Sequence, residues 1–231
     1  MQENRFITVP AVTLPGSALT IPSFQVGQYA CTEGESGKAA VTAEDKPWVN
    51  INYATARQAC KNAGFELITE LQWLAIAHDV AAQPCNWNTG IVGKGRLFQG
   101  LRNNSVDSAQ PGNYEPEDQD EQRWLTLSNG ELICDLNGNV WQWVFDNIQG
   151  DSNGIVAEKL SKQSGSLSAP FPSMKNGIGW RPEAGSNWSG SALVRGGCWF
   201  SESKAGAFGL GGDWPVYEYG DVCFRCTKPG L

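Results

Sequence analysis

The sequence predicts an α+β fold in which two short helices precede a long, mixed, irregular, β-rich and loop-rich core. Apolar residues recur at three- and four-residue spacings only between Tyr53 and Pro84. From Cys85 onward, short apolar runs are broken by Asn-Gly, Gly-Gly and Pro signals, the punctuation of strands and turns. Composition agrees: 27 glycines, 12 prolines and ten tryptophans among 231 residues, only 18% of them charged, describe many turns around an aromatic core rather than a helical bundle or a disordered chain.

Residues 1–20 carry Pro10, Pro15 and Gly16 among alternating apolar residues, which predicts an N-terminal arm or an edge strand ahead of one domain spanning 21–231. Ile21 to Tyr29 reads as a strand. Tyr53, Ala56, Cys60 and Ala63 then mark one face of a helix, and Gly64 stands where a left-handed C-terminal cap falls. Thr69-Glu70-Leu71-Gln72 fits a capping box and opens a second helix that ends before Pro84, with Leu71, Leu74, Ala75 and His78 on its inner stripe. The segments 107–123 and 150–188 are too long for ordinary connections and read as surface insertions or as carriers of function.

The net charge of −7, with acidic residues bunched from Glu115 to Glu121, repels phosphate backbones and argues against a nucleic-acid partner. No apolar run reaches the roughly 18 to 20 residues of a membrane helix, and Met1 to Arg5 offers no apolar signal core, so the chain reads as soluble, unprocessed and not inserted in a membrane. The acidic run lacks the glycine-spaced ligands of a calcium loop and reads as a solvated loop. Seven cysteines, an odd number without a secretion signal, argue against a disulfide framework and for buried thiols. Cys223 and Cys226 have the spacing of a zinc half-site, but no second pair exists and the one histidine, His78, is distant in sequence and sits on an apolar helix stripe.

Three groups of motifs occur in order. Pro47-Trp48-Val49-Asn50 and Leu67-Ile68-Thr69-Glu70-Leu71-Gln72-Trp73 flank the helices. Leu136-Asn137-Gly138-Asn139-Val140-Trp141-Gln142-Trp143 follows, then Val194-Arg195-Gly196-Gly197-Cys198-Trp199 and Phe224-Arg225-Cys226. By themselves these are scaffold features: glycines where backbones turn or approach, tryptophans for bulk, and arginines whose planar forks bond carbonyls or carboxylates. Together, over residues 21–226, they resemble the formylglycine-generating-enzyme (sulfatase-modifying factor) superfamily, which implies an elaborated C-type lectin fold.

The resemblance also implies what an enzyme of that superfamily needs: a copper-binding cysteine pair near the end of the chain or a three-histidine iron site. The stretch expected to hold the cysteines reads Ser203-Lys204-Ala205-Gly206-Ala207-Phe208-Gly209, and one histidine cannot make an iron site. Gln142 stands where the family's calcium-binding element usually has glutamate. No cofactor, no metal site and no catalytic residue is expected. The alternative is a divergent copper-dependent oxidase of the formylglycine-generating type that uses Cys198 and Cys223 as neighbours.

The terminal region resembles more closely the variable proteins of diversity-generating retroelements, in which a reverse transcriptase rewrites asparagine codons within a fixed lectin scaffold. That resemblance implies a ligand-binding, receptor-recognition protein with a variable region at about 196–225. The family pattern falls on Cys198, Phe200, Ser201, Lys204, Gly211, Asp213, Trp214, Tyr217, Tyr219 and Asp221, with Glu202 and Gly209 as weaker members. Trp214 and Lys204 cannot arise from an asparagine codon through its adenines alone, and Cys223 replaces a usual glycine.

Tyr217, Tyr219 and Asp221 alternate with Glu218, Gly220 and Val222, which predicts one shared face on an extended segment. The partner implied is a protein or glycan on another cell or particle, with virion or surface display. A homo-oligomer or virion contact is expected through residues 1–30.

Overall fold

The computed structural model describes residues 3–230. Two four-stranded sheets organise it. The first runs Phe6–Val9, Phe24–Gly27, Cys226–Thr227, Glu66–Leu67, and the second Gly206–Asp213, Ala192–Gly196, Trp141–Val144, Val222–Phe224. Helices α1 (Tyr53–Asn62) and α2 (Glu70–Ala81) lie where the periodicity predicts them. Among the described residues no helix is long and apolar enough to cross a membrane.

From Phe6 onward the N-terminal segment is packed on the core. Phe6–Val9 is an edge strand paired along its length with Phe24–Gly27, and Ile7, Val9, Leu14 and Ile21 are buried. A boundary after residue 20 would cut the paired strands Val12–Thr13 and Thr20–Ile21.

Helix α1 is capped by Asn52, whose Oδ1 accepts from the Thr55 amide at 2.9 Å, and ends before Gly64 at φ +79°. The capping box of α2 is complete: the Gln72 amide donates to Thr69 Oγ1 and the Thr69 amide to Gln72 Oε1. The narrow inner stripe expected for α2 is corrected, because Trp73, Ile76, Ala77 and Val80 are as buried as Leu74 and Ala75. Strands Val12–Thr13, Thr20–Ile21 and Gly206–Asp213 pack around it, so its sequence is apolar nearly all round.

Glu70, the first residue of α2, forms a wholly buried ion pair with Arg195, which also donates to the carbonyls of Phe208 and Ser166. The long segments are built in rather than appended. Glu121, expected in a solvated loop, is buried, and its carboxylate accepts from the Arg102 and Asn103 amides. In the 150–188 segment, residues 178–180 line the strand Gly206–Asp213: the Phe208 and Leu210 amides donate to Ile178 and Trp180 carbonyls, and Trp180 donates to Lys204. A Cβ on Gly206 would overlap the Gly179 backbone, so only glycine permits this approach.

Six of the seven cysteines are buried. The Cys226 sulfur lies 3.1 Å from that of Cys31 and 2.9 Å from that of Cys60, whereas Cys223 packs with Ala30, Ala109 and Val140. The two thiols of the apparent half-site therefore serve different apolar clusters.

Two outcomes follow from this packing. Alanine at Gly206 is expected to destabilise the chain by about 3 kcal/mol, read from urea unfolding, with an unchanged midpoint counting against the docking of 178–180. His78 meets Phe208 edge-on at 4.9 Å, and burial and the charge of Arg195 bring its pKa down to about 4. The unfolded imidazole protonates near 6.5 while the folded one resists, so its stabilising contribution is full above that pH and is lost as pH falls towards 4. Between pH 7 and 4.5 the wild type should lose about 2 kcal/mol more than a His78→Gln variant; parallel losses would contradict it.

Candidate functional site

One face of the second sheet carries Trp143, Val194, Ala192, Val222 and Phe224, which pack with Ile51 and Tyr53 at the start of α1. Trp143 is wholly buried, and its indole N–H donates to the Ile51 carbonyl at 3.1 Å. Residues 214–221 leave the strand Gly206–Asp213 and cross this aromatic layer to begin the strand Val222–Phe224.

The loop is held by its backbone. The Pro215 carbonyl accepts from the Tyr53 amide at 3.1 Å, filling one of the amides that a helix start leaves open. Tyr219 and Asp221 carbonyls accept from the Asn50 and Trp141 amides, each at 2.9 Å, and the Tyr217 amide donates to Trp214. Asn50 has φ +55°, a left-handed turn that asparagine tolerates.

The expected site residues divide by exposure. Trp214 is 62% exposed, Tyr217 58% and Phe200 48%, while Ser201, Gly211, Asp213, Tyr219 and Asp221 are half-buried. Tyr219 lies between exposed and core aromatics, its ring 6.2 Å from both Tyr217 and Trp143. Val216, which sequence reasoning passed over, is the most exposed large apolar residue at 71%.

Cys198 requires a correction: it is wholly buried and not part of a surface. Gly196 and Gly197, at φ +96° and +90°, turn the chain so that position 198 points inward. There its amide donates to Ser201 Oγ at 2.9 Å and its sulfur lies 3.2 Å from that oxygen. Burial pushes the thiol up to about 12, so it is neutral and unreactive.

Lys204 is exposed, but its backbone bonds are to Ser201 and Trp180 rather than to the tyrosine loop. The turn that it ends places Glu202 and Ser203 in a separate cleft of about 430 Å³ with Arg96, Arg102 and Lys175. Gly211 faces Val194 and Trp141, where a Cβ would press on the Val194 side chain. Gly209, the weaker candidate, is buried.

The strict alternation expected from Tyr217 to Asp221 does not occur. The segment is irregular rather than a strand, and Glu218 and Gly220 are exposed as well. Glu218 is oriented by the Asn52 amide at 3.5 Å.

A second cleft of about 450 Å³ flanks the loop, lined by Phe200, Trp199, Gly220 and Asp221 on one side and by Lys46, Asn50 and Asp107 on the other. The motif Pro47-Trp48-Val49-Asn50 was the only sequence signal of its far wall. Burial, and then the charge of Asp221, raise the pKa of Asp213. Neither carboxylate is in an ion pair among the described residues. Of the nearby cations, Lys46 bonds the neutral Ser108 hydroxyl at 3.2 Å, and Arg57 stacks 4.9 Å over Phe145 and donates to the Asn153 carbonyl.

Cys198 and Cys223 do not form the copper pair considered above, and one histidine cannot make a three-histidine iron site. Cys198 bonds Ser201, Cys223 points to the Phe224 carbonyl, and no hydrogen bond joins the two thiols. Among the described residues no group of three or more His, Cys, Asp or Glu side chains has a geometry suited to a metal ion. At the family's calcium element, Gln142 donates to the Asp135 carbonyl and accepts from Arg225, using both ends of a neutral amide.

A family model described as the sulfatase-modifying factor enzyme 1-like domain matches residues 14–228. No curated protein matches the chain. Among solved structures, Treponema denticola variable protein 1 superposes with a TM-score of 0.52 at 15% identity, covering 98% of this chain and 95% of its own. PvdO from Pseudomonas aeruginosa gives 0.49 at 13% identity over 97% and 94%, and the Major Tropism Determinant U1 variant 0.46 at 14% over 90% and 50%. With nearly its whole length matched, and with the elaborated C-type lectin fold its motifs predicted, the chain belongs to the sulfatase-modifying factor enzyme 1-like domain family.

Proposed function

We propose that this chain is a ligand-binding protein of the diversity-generating retroelement variable type, which recognises a protein or glycan on another cell or particle and does so without turnover. The observation that carries the reading is the division of labour in the last thirty-odd residues. Phe200, Trp214, Val216 and Tyr217 expose large apolar surfaces, whereas Val194, Val222 and Phe224 beneath them are buried. Exposed aromatics offer rigid contact area at low entropic cost and dominate binding hot spots. Treponema denticola variable protein 1, whose fold this chain shares, is named as a variable protein.

The working set of contact residues is Phe200, Ser201, Asp213, Trp214, Tyr217, Tyr219 and Asp221, with Lys204 and Gly211 at its margins and Cys198 removed. A copper-dependent oxidase is the competing reading, and the separate surroundings of Cys198 and Cys223 give that pair no support. Display on a virion or cell surface fits a receptor-recognition role. Any assembly contact near the N-terminus would involve the edge strand Phe6–Val9 rather than a detached arm.

The test needs no known ligand. A library randomised together at Phe200, Trp214, Tyr217 and Tyr219 is expected to keep melting temperatures within about 5 °C of the parent for most members, since surface changes stay within about 0.5 kcal/mol each. Randomising Trp143 and Phe224 should abolish folding. If the first library unfolds as readily as the second, these side chains are core and the proposal fails.

A further inference from the structure

Resting on that reading of the loop, we infer that the partner is a protein that presents a lysine or arginine side chain to the aromatic surface of Trp214, Tyr217 and Tyr219. Two independent features of the surface specify this occupant. The first is its aromatic geometry. Tyr217 and Tyr219 stand at 68° to one another with centroids 6.2 Å apart, and Trp214 beside them is mostly exposed, so ring faces are available to a cation.

The second is charge. Asp213 and Asp221 stand at the two ends of the loop, where the charge of Asp221 acts on Asp213 and both act on Tyr219, and Glu218 is exposed on the loop between them in sequence. No ion pair among the described residues involves any of the three. Of the basic residues on the adjoining elements, Lys46 shares a cleft with Asp221 but forms no ion pair with it, and Arg57 lies over Tyr53 and Phe145. Burial and the charge of Asp221 disfavour the ionised form of half-buried Asp213, and an incoming cation relieves that cost while stacking on the rings. The chain's overall charge of −7 steers a basic partner in the same direction.

A protein surface answers this arrangement better than a carbohydrate does. Val216, at 71% exposure, and Trp214 project from the loop as apolar knobs beside the acidic groups, a mixed surface that matches an apolar patch rimmed by basic side chains.

The experiment titrates the intact chain with three probes, a decalysine peptide, a decaglutamate peptide and neutral dextran, following tryptophan fluorescence at low salt. Decalysine alone should bind, and about tenfold more weakly once salt is raised to about 0.5 M. The double variant Asp213→Asn/Asp221→Asn should weaken binding by about tenfold or more without a lower melting temperature, and so should Trp214→Ala/Tyr217→Ala. The control Glu131→Gln/Glu158→Gln changes two exposed acids elsewhere and should leave binding unaltered.

Equal binding of decaglutamate or dextran, equal weakening by the control, or no binding of decalysine overturns the inference. Should the randomised library stay folded while decalysine fails to bind, only the cationic partner is lost; a library that unfolds removes the surface itself.

Discussion

The buried guanidinium of Arg225 is the interaction on which the rest of the molecule depends. It is fully enclosed, yet makes no ion pair. Its Nη1 donates to the Gly27 carbonyl at 2.7 Å, its Nη2 to the Cys134 and Asp135 carbonyls at 2.7 and 3.1 Å, and its Nε to Gln142 Oε1 at 2.8 Å. Three separate stretches of chain meet on one planar fork. Gln142 suits the position because its other end donates to the Asp135 carbonyl at 2.7 Å, which a glutamate carboxylate could not do. Burial lowers the pKa of Arg225, and the surrounding carbonyls supply the acceptors that keep a buried cation tolerable. Arg195 is a second buried arginine, on an inner strand of the second sheet, and ties that strand to α2 through an ion pair with Glu70.

With the ends of the sheet fixed in this way, the terminal loop needs little from its own side chains. Its path from Asp213 to Val222 is set by backbone carbonyls that accept from Tyr53, Asn50 and Trp141, groups present whatever residues the loop carries. Side chains at Trp214 and Tyr217 are therefore free of structural duty, and Tyr219 only partly so through Trp143. A frame that fixes backbone and releases side chains is the physical requirement for a surface that changes its recognition chemistry while keeping its shape.

Much of this was written plainly in the sequence. The helices announced themselves through the Thr69–Gln72 box and the Gly64 stop, and Arg195 and Arg225 through their place in glycine- and aromatic-rich motifs. Other features depend on contacts between distant residues, which a linear pattern does not encode. Cys198 turns inward because two successive glycines take positive φ, and sequence cannot say which way such a turn delivers the next side chain. Alternation from Tyr217 to Asp221 suggested a strand, but Pro215 and the docking onto α1 bend the segment out of extended geometry. The cleft wall from Lys46 to Asn50 lies far from the terminal loop in sequence, and only the fold brings the two together.

The central claim is that variation belongs to side chains held out by a fixed frame. Deep sequencing of this locus across a natural population tests it most directly. The account predicts substitutions concentrated at codons for Phe200, Ser201, Asp213, Trp214, Tyr217, Tyr219 and Asp221, with Trp141, Trp143, Arg195 and Arg225 unchanged between them. Differences spread evenly along the gene, or falling as often on those four frame residues, would contradict it.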